Sequence, residues 1–252
     1  MGNLFVVGTA GAGKSLLTHS LKDLLVGKEW DVVTVNLDPG AEGLPYDPDV
    51  DVRNSVNLHE LMEKYGLGPN GGLVLAADMI ASKASELQEE IDDYNADYVI
   101  FDTPGQMELF AYRPSGPFLV KQMGQDRSAL LFLFDSWLMT DATNFLSLML
   151  LASSVKLRFN VPFLPILSKA DLVPDSVDRI GGWARQPDTI LDEVSSKLKG
   201  DDYLLYSGLL RTLSSKGFIS RLWPVSSSTG SGMLDLSGAI ANIFQGGEDQ
   251  AG

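Results

Sequence analysis

The chain has 252 residues, 44% of them hydrophobic, and a formal net charge of −14, and we expect residues 1–252 to form one large α/β domain. The acidic charge argues against direct nucleic-acid binding, because contacts with phosphate backbones need clustered Lys and Arg. The absence of cysteine excludes disulfides, thiol catalysis and cysteine-ligated zinc.

Short apolar runs alternate along the chain with segments of helical periodicity. The predicted strands are 3–7, 31–37, 97–101, 128–134, 161–167 and 221–225. The predicted helices are 14–25, 85–94, 143–156, 189–198 and 233–244. Nearly continuous apolar strands that alternate with helices predict an α/β fold with a doubly wound, mostly parallel sheet. Residues 172–220 interrupt the alternation, and we expect them to form a helical insertion.

A phosphate-binding loop follows the first predicted strand. Residues 8–15 read GTAGAGKS and match G-x-x-x-x-G-K-[ST] in the order strand, loop and helix. Glycines let backbone N–H groups approach phosphate, and the positive end of the following helix attracts it. We expect Lys14 to reach the β- and γ-phosphates and the Ser15 hydroxyl to bind Mg²⁺. The candidate nucleotide contacts here are Gly11, Ala12, Gly13, Lys14, Ser15 and Leu16.

Two later strands end at carboxylates that would lie beside the γ-phosphate. Asp38 follows the second predicted strand and Asp102 follows the third. P-loop enzymes keep a Mg²⁺-holding carboxylate at such a position, so we expect Asp102, Asp38 and Ser15 to hold the ion. Asp38 could instead orient water. Gly105 follows in DTPGQ and would donate its N–H to the γ-phosphate, although DTPG is also a good turn sequence.

The most apolar region, 128–154, is interrupted by Asp135 and Asp141. These charges argue against a membrane-spanning helix. The N-terminus also lacks the basic segment that begins a secretory signal. We therefore expect a cytoplasmic protein that does not associate with a membrane.

The base-reading element is predicted by SKAD (168–171), which directly follows an apolar strand. It resembles the [NT]KxD element of GTPases. In those proteins the Asp accepts two hydrogen bonds from guanine and the Lys stem lies along the base, roles that fall here on Asp171 and Lys169. Ser168 stands where Asn is usual, which puts one hydrogen bond to the phosphate-binding loop in doubt.

A serine-rich segment after the last predicted strand completes the candidate base pocket. GTPases place there a loop whose backbone N–H reads guanine O6. In this chain the corresponding residues are Ser226 and Ser227. The site is therefore expected to bind GTP and GDP.

A glycine-rich stretch, YGLGPNGGL (65–73), lies between the two acidic strand ends. By itself it is also compatible with a turn that ends a helix. Taken with the other motifs, it makes the chain closely similar to the GPN-loop GTPases, in particular their archaeal-type homodimeric members. The motifs that carry this resemblance are GTAGAGKS (8–15), NLDPG (36–40), GPN (68–70), DTPGQ (102–106), SKAD (168–171) and SSSTG (226–230).

The resemblance implies a P-loop fold of the SIMIBI class, which includes the signal-recognition GTPases and the partitioning ATPases. It also implies a homodimer in which the GPN segment of each subunit reaches the nucleotide site of the other. GTP hydrolysis would then involve Lys14, Asp38, Gln106 and Glu108, with Asn70 from the partner. Glu108 is also compatible with a solvated residue on the first turn of a helix.

The sequence is compatible with three functions. The favoured one is a GTPase switch that assists assembly of multiprotein complexes such as RNA polymerase, as eukaryotic relatives suggest. A client could bind at the apolar helix 143–156 or at the insertion 172–220. The alternatives are a P-loop kinase and a nucleotide-dependent scaffold that does not hydrolyse. Arg53 and Arg113 are expected to pair with carboxylates and to stay away from the phosphates.

Overall fold

A computed structural model describes residues 2–215, 218 and 221–245. In these residues the strands are β1 (Gly2–Gly8), β2 (Val32–Asn36), β3 (Val50–Asp51), β4 (Tyr98–Asp102), β5 (Ser128–Asp135), β6 (Phe163–Ser168) and β7 (Trp223–Pro224). They form one sheet in the order β3-β2-β4-β1-β5-β6-β7. Every neighbouring pair is parallel. The predicted α/β fold is confirmed.

The helices cover both faces of this sheet. They are α1 (Lys14–Val26), α2 (Leu58–Tyr65), α3 (Pro69–Ser82), α4 (Ala84–Asp92), α5 (Met107–Ala111), α6 (Ser115–Gln122), α7 (Ser136–Met139), α8 (Ala142–Phe159), α9 (Val177–Arg185), α10 (Leu191–Lys197), α11 (Gly200–Ser215) and α12 (Met233–Gln245). Among the described residues, no helix combines the length and hydropathy that a bilayer span requires.

The alternation of side chains along β1 explains why the strand sequences are apolar throughout. Leu4 and Val6 point into a core formed with α1 and α12. Phe5 and Val7 point into the larger core on the opposite face, which most of the other helices share. Both sets are fully buried, as expected for a parallel sheet that is covered on two sides.

Two strands differ between the prediction and the structure. β3 is absent from the prediction because two residues carry no detectable periodicity. The predicted strand 221–225 is reduced to β7, Trp223–Pro224. The segment 172–220 contains α9, α10 and α11, and residues 216, 217, 219 and 220 lie outside the described part. The single domain over 1–252 and the boundaries of its insertion stay predictions.

The sheet order places the candidate site. β1 lies at the centre, between β4 and β5, although the chain runs from β1 first to β2, which is two positions away in the sheet. In open parallel sheets, ligands bind beyond the carboxyl ends of the strands where the order reverses in this way. The residues that follow β1, β2, β4 and β6 are those that the sequence motifs single out.

Candidate functional site

The loop between β1 and α1 has the backbone of an anion-binding turn. Gly11 and Gly13 have φ values of 75° and 92°, a left-handed region that glycine adopts without the steric cost of a side chain. Gly13 precedes the first residue of α1, and the first turn of that helix carries no acidic residue. The positive end of α1 therefore faces the loop without a neutralising carboxylate.

The Lys14 side chain folds back over this loop. Its Nζ donates to the carbonyl oxygens of Gly8 at 3.1 Å and Thr9 at 3.2 Å, and it lies 3.5 Å from the carbonyl of Gly105. Burial lowers the pKa of Lys14, while the nearby carboxylates of Asp102 and Asp38 oppose that shift. The ammonium group thus links the phosphate-binding loop to the segment after β4.

Asp102 is the most deeply buried carboxylate of the site, with 2% of its surface exposed. Burial raises its pKa to about 6, against the effects of the Ser15 and Tyr46 hydroxyls and the Lys14 ammonium. Its Oδ2 accepts a hydrogen bond from the Tyr46 hydroxyl at 3.1 Å. Its Oδ1 is buried and has no hydrogen-bond partner in the part of the chain that the structure describes.

These features fit a hydrated Mg²⁺ ion. A buried carboxylate oxygen without a partner is costly unless a ligand satisfies it, and the Ser15 hydroxyl lies beside the same carboxylate. Proteins usually bind Mg²⁺ through a few oxygen ligands of this kind, and water and phosphate complete its coordination. Within the described ranges, no group of three or more His, Cys, Asp or Glu side chains could hold a metal by itself.

Asp38 contacts the segment after β4 directly. Its Oδ2 accepts the N–H of Gly105 at 2.9 Å and its Oδ1 accepts the N–H of Gly40 at 2.9 Å. The Gly105 N–H is the group that the sequence assigns to the γ-phosphate. In this structure a phosphate would therefore compete with the Asp38 carboxylate for that donor.

Gln106 and Glu108 stand at the start of α5 and are both exposed. The Glu108 carboxylate is near enough to Lys14 to raise the pKa of that ammonium group. Neither side chain has a hydrogen-bond partner among the described residues. The side of the site that carries Gln106 and Glu108, here called the hydrolytic side, is therefore open to solvent in the single chain.

A pocket beside the phosphate-binding loop contains most of the predicted base contacts. Its lining consists of Ala12, Gly13, Leu16, Ser168, Lys169, Asp171, Leu172, Ser227 and Ser228. The Ser168 hydroxyl lies 2.8 Å from the carbonyl of Ala12 and 3.0 Å from that of Phe134, so it can donate to either. A serine thus still connects this segment to the phosphate-binding loop at a position where GTPases usually have Asn.

Two residues that the sequence reasoning missed hold Lys169 in place. Lys169 has a left-handed backbone, with φ of 55°, and the Ser136 hydroxyl donates to its carbonyl at 2.8 Å. The Asp135 carboxylate forms an ion pair with Lys169 Nζ at 2.7 Å. Asp135 ends the apolar strand β5, as Asp102 ends β4, and that shared position is the signal that could have identified it.

Ser226 and Ser227 have different surroundings. The Ser226 N–H donates to the carbonyl of Ser231 at 2.9 Å, and its hydroxyl accepts the N–H of Thr229 at 3.2 Å. Ser227 lines the pocket, and its carbonyl accepts the Ser20 hydroxyl at 3.1 Å. Ser226 therefore shapes the loop, and Ser227 is the better placed of the two to meet a base.

The GPN segment forms the corner between two helices. Gly66 ends α2 in a left-handed conformation, Gly68 caps α3 and Pro69 is its first residue. Asn70 is exposed. One turn further along α3, Leu73 packs so tightly on Gly40 that a Cβ at Gly40 would lie 2.9 Å from its Cδ2. The corner is thus adjacent to the segment that carries Asp38.

The two arginines pair with carboxylates, as predicted. Arg53 contacts Asp51 at 2.5 Å, and Arg113 contacts Asp78 at 2.7 Å. In the described residues, neither guanidinium group forms a hydrogen bond or an ion pair with the phosphate-binding loop.

Comparison with known proteins identifies the family. A family model described as "Conserved hypothetical ATP binding protein" matches residues 6–246. The GPN-loop GTPase 3 of Mycosarcoma maydis is 30% identical over 98% of this chain and 92% of the relative. The chain belongs to the GPN-loop GTPase family. The GPN-loop GTPase 3 of Schizosaccharomyces pombe is 36% identical over 68% of this chain, and the match spans 63% of that relative.

A solved structure extends the likeness to the fold. The crystal structure of a GTPase from Pyrococcus abyssi in its apo form matches with a TM-score of 0.85 and 28% sequence identity. The match covers 96% of this chain and 97% of the other. This chain therefore shares its arrangement of sheet and helices with that GTPase over almost its whole length.

Proposed function

We propose that the protein binds GTP with Mg²⁺, hydrolyses it to GDP and phosphate, and acts in the cytoplasm as a homodimeric switch. The observation that carries this proposal is the pocket in which Gly13 of the phosphate-binding loop meets Lys169 and Asp171. Gly13 is followed in the chain by Lys14 and Ser15, which are close enough to the buried Asp102 carboxylate to affect its pKa. One oxygen of that carboxylate has no hydrogen-bond partner among the described residues. The proposed phosphate, base and metal sites therefore adjoin one another.

The pocket favours guanine over adenine. Asp171 lines it and is exposed, so its carboxylate is free to accept hydrogen bonds from the N1–H and N2 amine of guanine. Adenine presents an acceptor at N1, which a carboxylate would repel. Leu16 and Leu172 supply apolar surface on the same lining. This chemistry supports GTP, whereas the description of the matching family model names ATP.

The phosphates would lie over the loop amides and the N-terminus of α1, where Lys14 would leave its carbonyl partners to contact them. Ser15 and Asp102 are the residues that would hold Mg²⁺, and Asp38 would join them after releasing Gly105. The bound ion would neutralise negative charge on the β,γ-phosphate oxygens. Positioning and charge neutralisation of this kind account for most of the catalysis in phosphoryl transfer.

Water activation falls to the exposed side of the site. Asp38 and Gln106 would orient the attacking water, and Glu108 would add an acceptor on the first turn of α5. Asn70 has both a donor and an acceptor to offer, and it lies on a solvent-exposed corner. A second copy of the chain would bring its own Asn70 to this site and complete it.

A client surface is better placed on the predicted insertion than on the predicted helix 143–156. The side chains of Phe145, Met149 and Ala152 on α8 belong to the core. On α11, Leu204 and Leu205 are 65% and 64% exposed. A protein client that assembles with the help of this GTPase would find apolar contacts on that helix.

The direct test compares phosphate release from GTP and ATP, with size measured in each nucleotide state. The proposal expects Mg²⁺-dependent release from GTP alone and a dimer with a GTP analogue. Phosphate that appears on an acceptor other than water would identify a kinase. Tight GTP binding without phosphate release would identify a scaffold. Hydrolysis by a strict monomer would contradict the dimeric arrangement.

A further inference from the structure

Tyr46 stands out in the connection between β2 and β3. From Gly40 to Asp49 the other residues are exposed or half-buried, whereas only 8% of the Tyr46 surface is exposed. Its hydroxyl donates to Asp102 Oδ2 at 3.1 Å. The contact therefore joins the connection after Asp38 to the carboxylate that is expected to hold the metal.

The two oxygens of Asp102 have different surroundings because of this contact. Oδ2 accepts the Tyr46 hydroxyl, whereas Oδ1 is buried without a partner in the described residues. The terminal torsion of a carboxylate is broad and nearly two-fold. A hydrogen bond to one oxygen fixes that torsion and leaves the other oxygen available for a ligand.

The connection itself is anchored at both ends. Asn36 donates to Asp51 at 3.0 Å and to the carbonyl of Asp38 at 3.2 Å. Arg53 pairs with Asp51 and donates to the carbonyl of Ala41 at 2.8 Å. Because these contacts hold the ends of the segment, Tyr46 in its middle has a defined position over Asp102.

We infer that Tyr46 is a positioning residue for Mg²⁺ binding, holding Oδ2 of Asp102 so that Oδ1 serves the ion. The inference rests on the proposed function, since it concerns the metal that accompanies the nucleotide. Groups that orient metal-holding residues are worth about 10- to 100-fold in metal affinity in other proteins. The Tyr46 hydroxyl should contribute at the lower end of that range because Asp102 keeps its other neighbours.

The test is Tyr46→Phe, which keeps the buried ring and removes the hydroxyl. Binding of a fluorescent GDP is titrated with Mg²⁺, and binding of the same GDP is measured in EDTA. We expect the variant to need about tenfold more Mg²⁺ for half-maximal effect. Its affinity for GDP without Mg²⁺ should equal that of the wild type. A purely structural role would change both affinities.

The matched control is Tyr206→Phe. Tyr206 is also buried, with 6% of its surface exposed, and its hydroxyl donates to the carbonyl of Ala142 on α8. This control should lose thermal stability to a similar degree and keep the wild-type Mg²⁺ requirement. If Tyr46→Phe does not fold, Tyr46→Met provides a second variant that fills the site without a hydroxyl, and it should show the same shift.

An Asp102→Asn background shows whether Tyr46 acts through Asp102. In that background, Tyr46→Phe should add no further change in the Mg²⁺ requirement, since coupled residues are not additive. An additive effect, or a wild-type Mg²⁺ requirement in Tyr46→Phe, would overturn the inference. Wild-type protein that binds no guanine nucleotide with Mg²⁺ would instead overturn the proposed function.

Discussion

The base pocket and the hydrolytic side of the site differ in how complete they are within one chain. In the pocket, Ser168 bonds to the phosphate-binding loop or to β5, and Lys169 is held by Asp135 and Ser136. On the hydrolytic side, Gln106 and Asn70 are exposed. Each chain therefore forms the proposed base pocket from its own residues, whereas Gln106 and Asn70 face solvent.

The contact between Asp38 and Gly105 strengthens this contrast. It occupies a backbone N–H that the γ-phosphate is expected to use, so nucleotide binding would release Asp38 at the position where water must be oriented. Binding would thus prepare the hydrolytic side, and a partner's Asn70 would complete it. The contrast predicts that substitutions in the base pocket change nucleotide affinity, whereas substitutions on the hydrolytic side change the rate of hydrolysis.

Removal of Lys14 should have the largest effect, because this residue is expected to act in both nucleotide binding and hydrolysis. Lys14→Ala removes the ammonium group that contacts both the phosphate-binding loop and the segment after β4. We expect hydrolysis to fall by about 100-fold or more, as when one stabilising donor is lost from a site of this type, and GTP affinity to fall with it. Phosphate release and nucleotide titration measure the two effects. Lys121→Ala, at an exposed lysine of α6, is the control and should change neither.

Asp38→Asn and Gln106→Ala should separate hydrolysis from binding. Each is expected to slow single-turnover GTP hydrolysis by more than about tenfold, the range for positioned groups that assist proton transfer. GDP affinity should stay near the wild-type value, because neither side chain lines the base pocket. Gln122→Ala, at an exposed glutamine of α6, should leave hydrolysis unchanged. Near-normal turnover in both the Asp38 and the Gln106 variants would contradict the proposed separation of hydrolysis from nucleotide binding.

The pH dependence of metal binding should follow Asp102. Burial raises the pKa of this carboxyl to about 6, so below that pH a proton must leave before Mg²⁺ binds. Apparent Mg²⁺ affinity should be level above about pH 6 and fall by about tenfold per pH unit below it. Asp102→Asn should bind Mg²⁺ weakly and retain only the titration of the nucleotide phosphates. A wild-type profile no steeper than that of Asp102→Asn would contradict the assignment.

The smallest effect is expected from Asp135→Asn. This substitution keeps an oxygen that can cap α7 and removes the charge that pairs with Lys169 at 2.7 Å. Partly exposed ion pairs contribute little, so GTP and GDP affinities should fall by about fivefold with unchanged single-turnover hydrolysis. Glu193→Gln removes a carboxylate that pairs with Arg179 at 3.7 Å outside the pocket, and it should leave both affinities unchanged. Slower single-turnover hydrolysis in Asp135→Asn would contradict the separation of the base pocket from the hydrolytic side.

The sequence predicted the fold and the ends of the long strands because those signals are local. An apolar run that ends in Asp102 or Ser168 indicates a buried strand and also identifies the polar residue at its end. Tyr46 carries no such signal, since its role depends on a loop that returns to a strand 56 residues away. The use of the Gly105 N–H by Asp38 also depends on packing between neighbouring strand ends. The catalytic and binding roles of the predicted residues stay predictions.

The central claim is that one chain binds the nucleotide and a second chain completes hydrolysis with Asn70. It is tested most directly by mixing two variants, Asn70→Ala and Asp38→Asn, each of which should bind GTP but hydrolyse it slowly. Random pairing gives about half mixed dimers with one complete site each, so the mixture should reach about a quarter of wild-type turnover. A mixture that shows only the average of the two separate activities would contradict completion of the site by the partner.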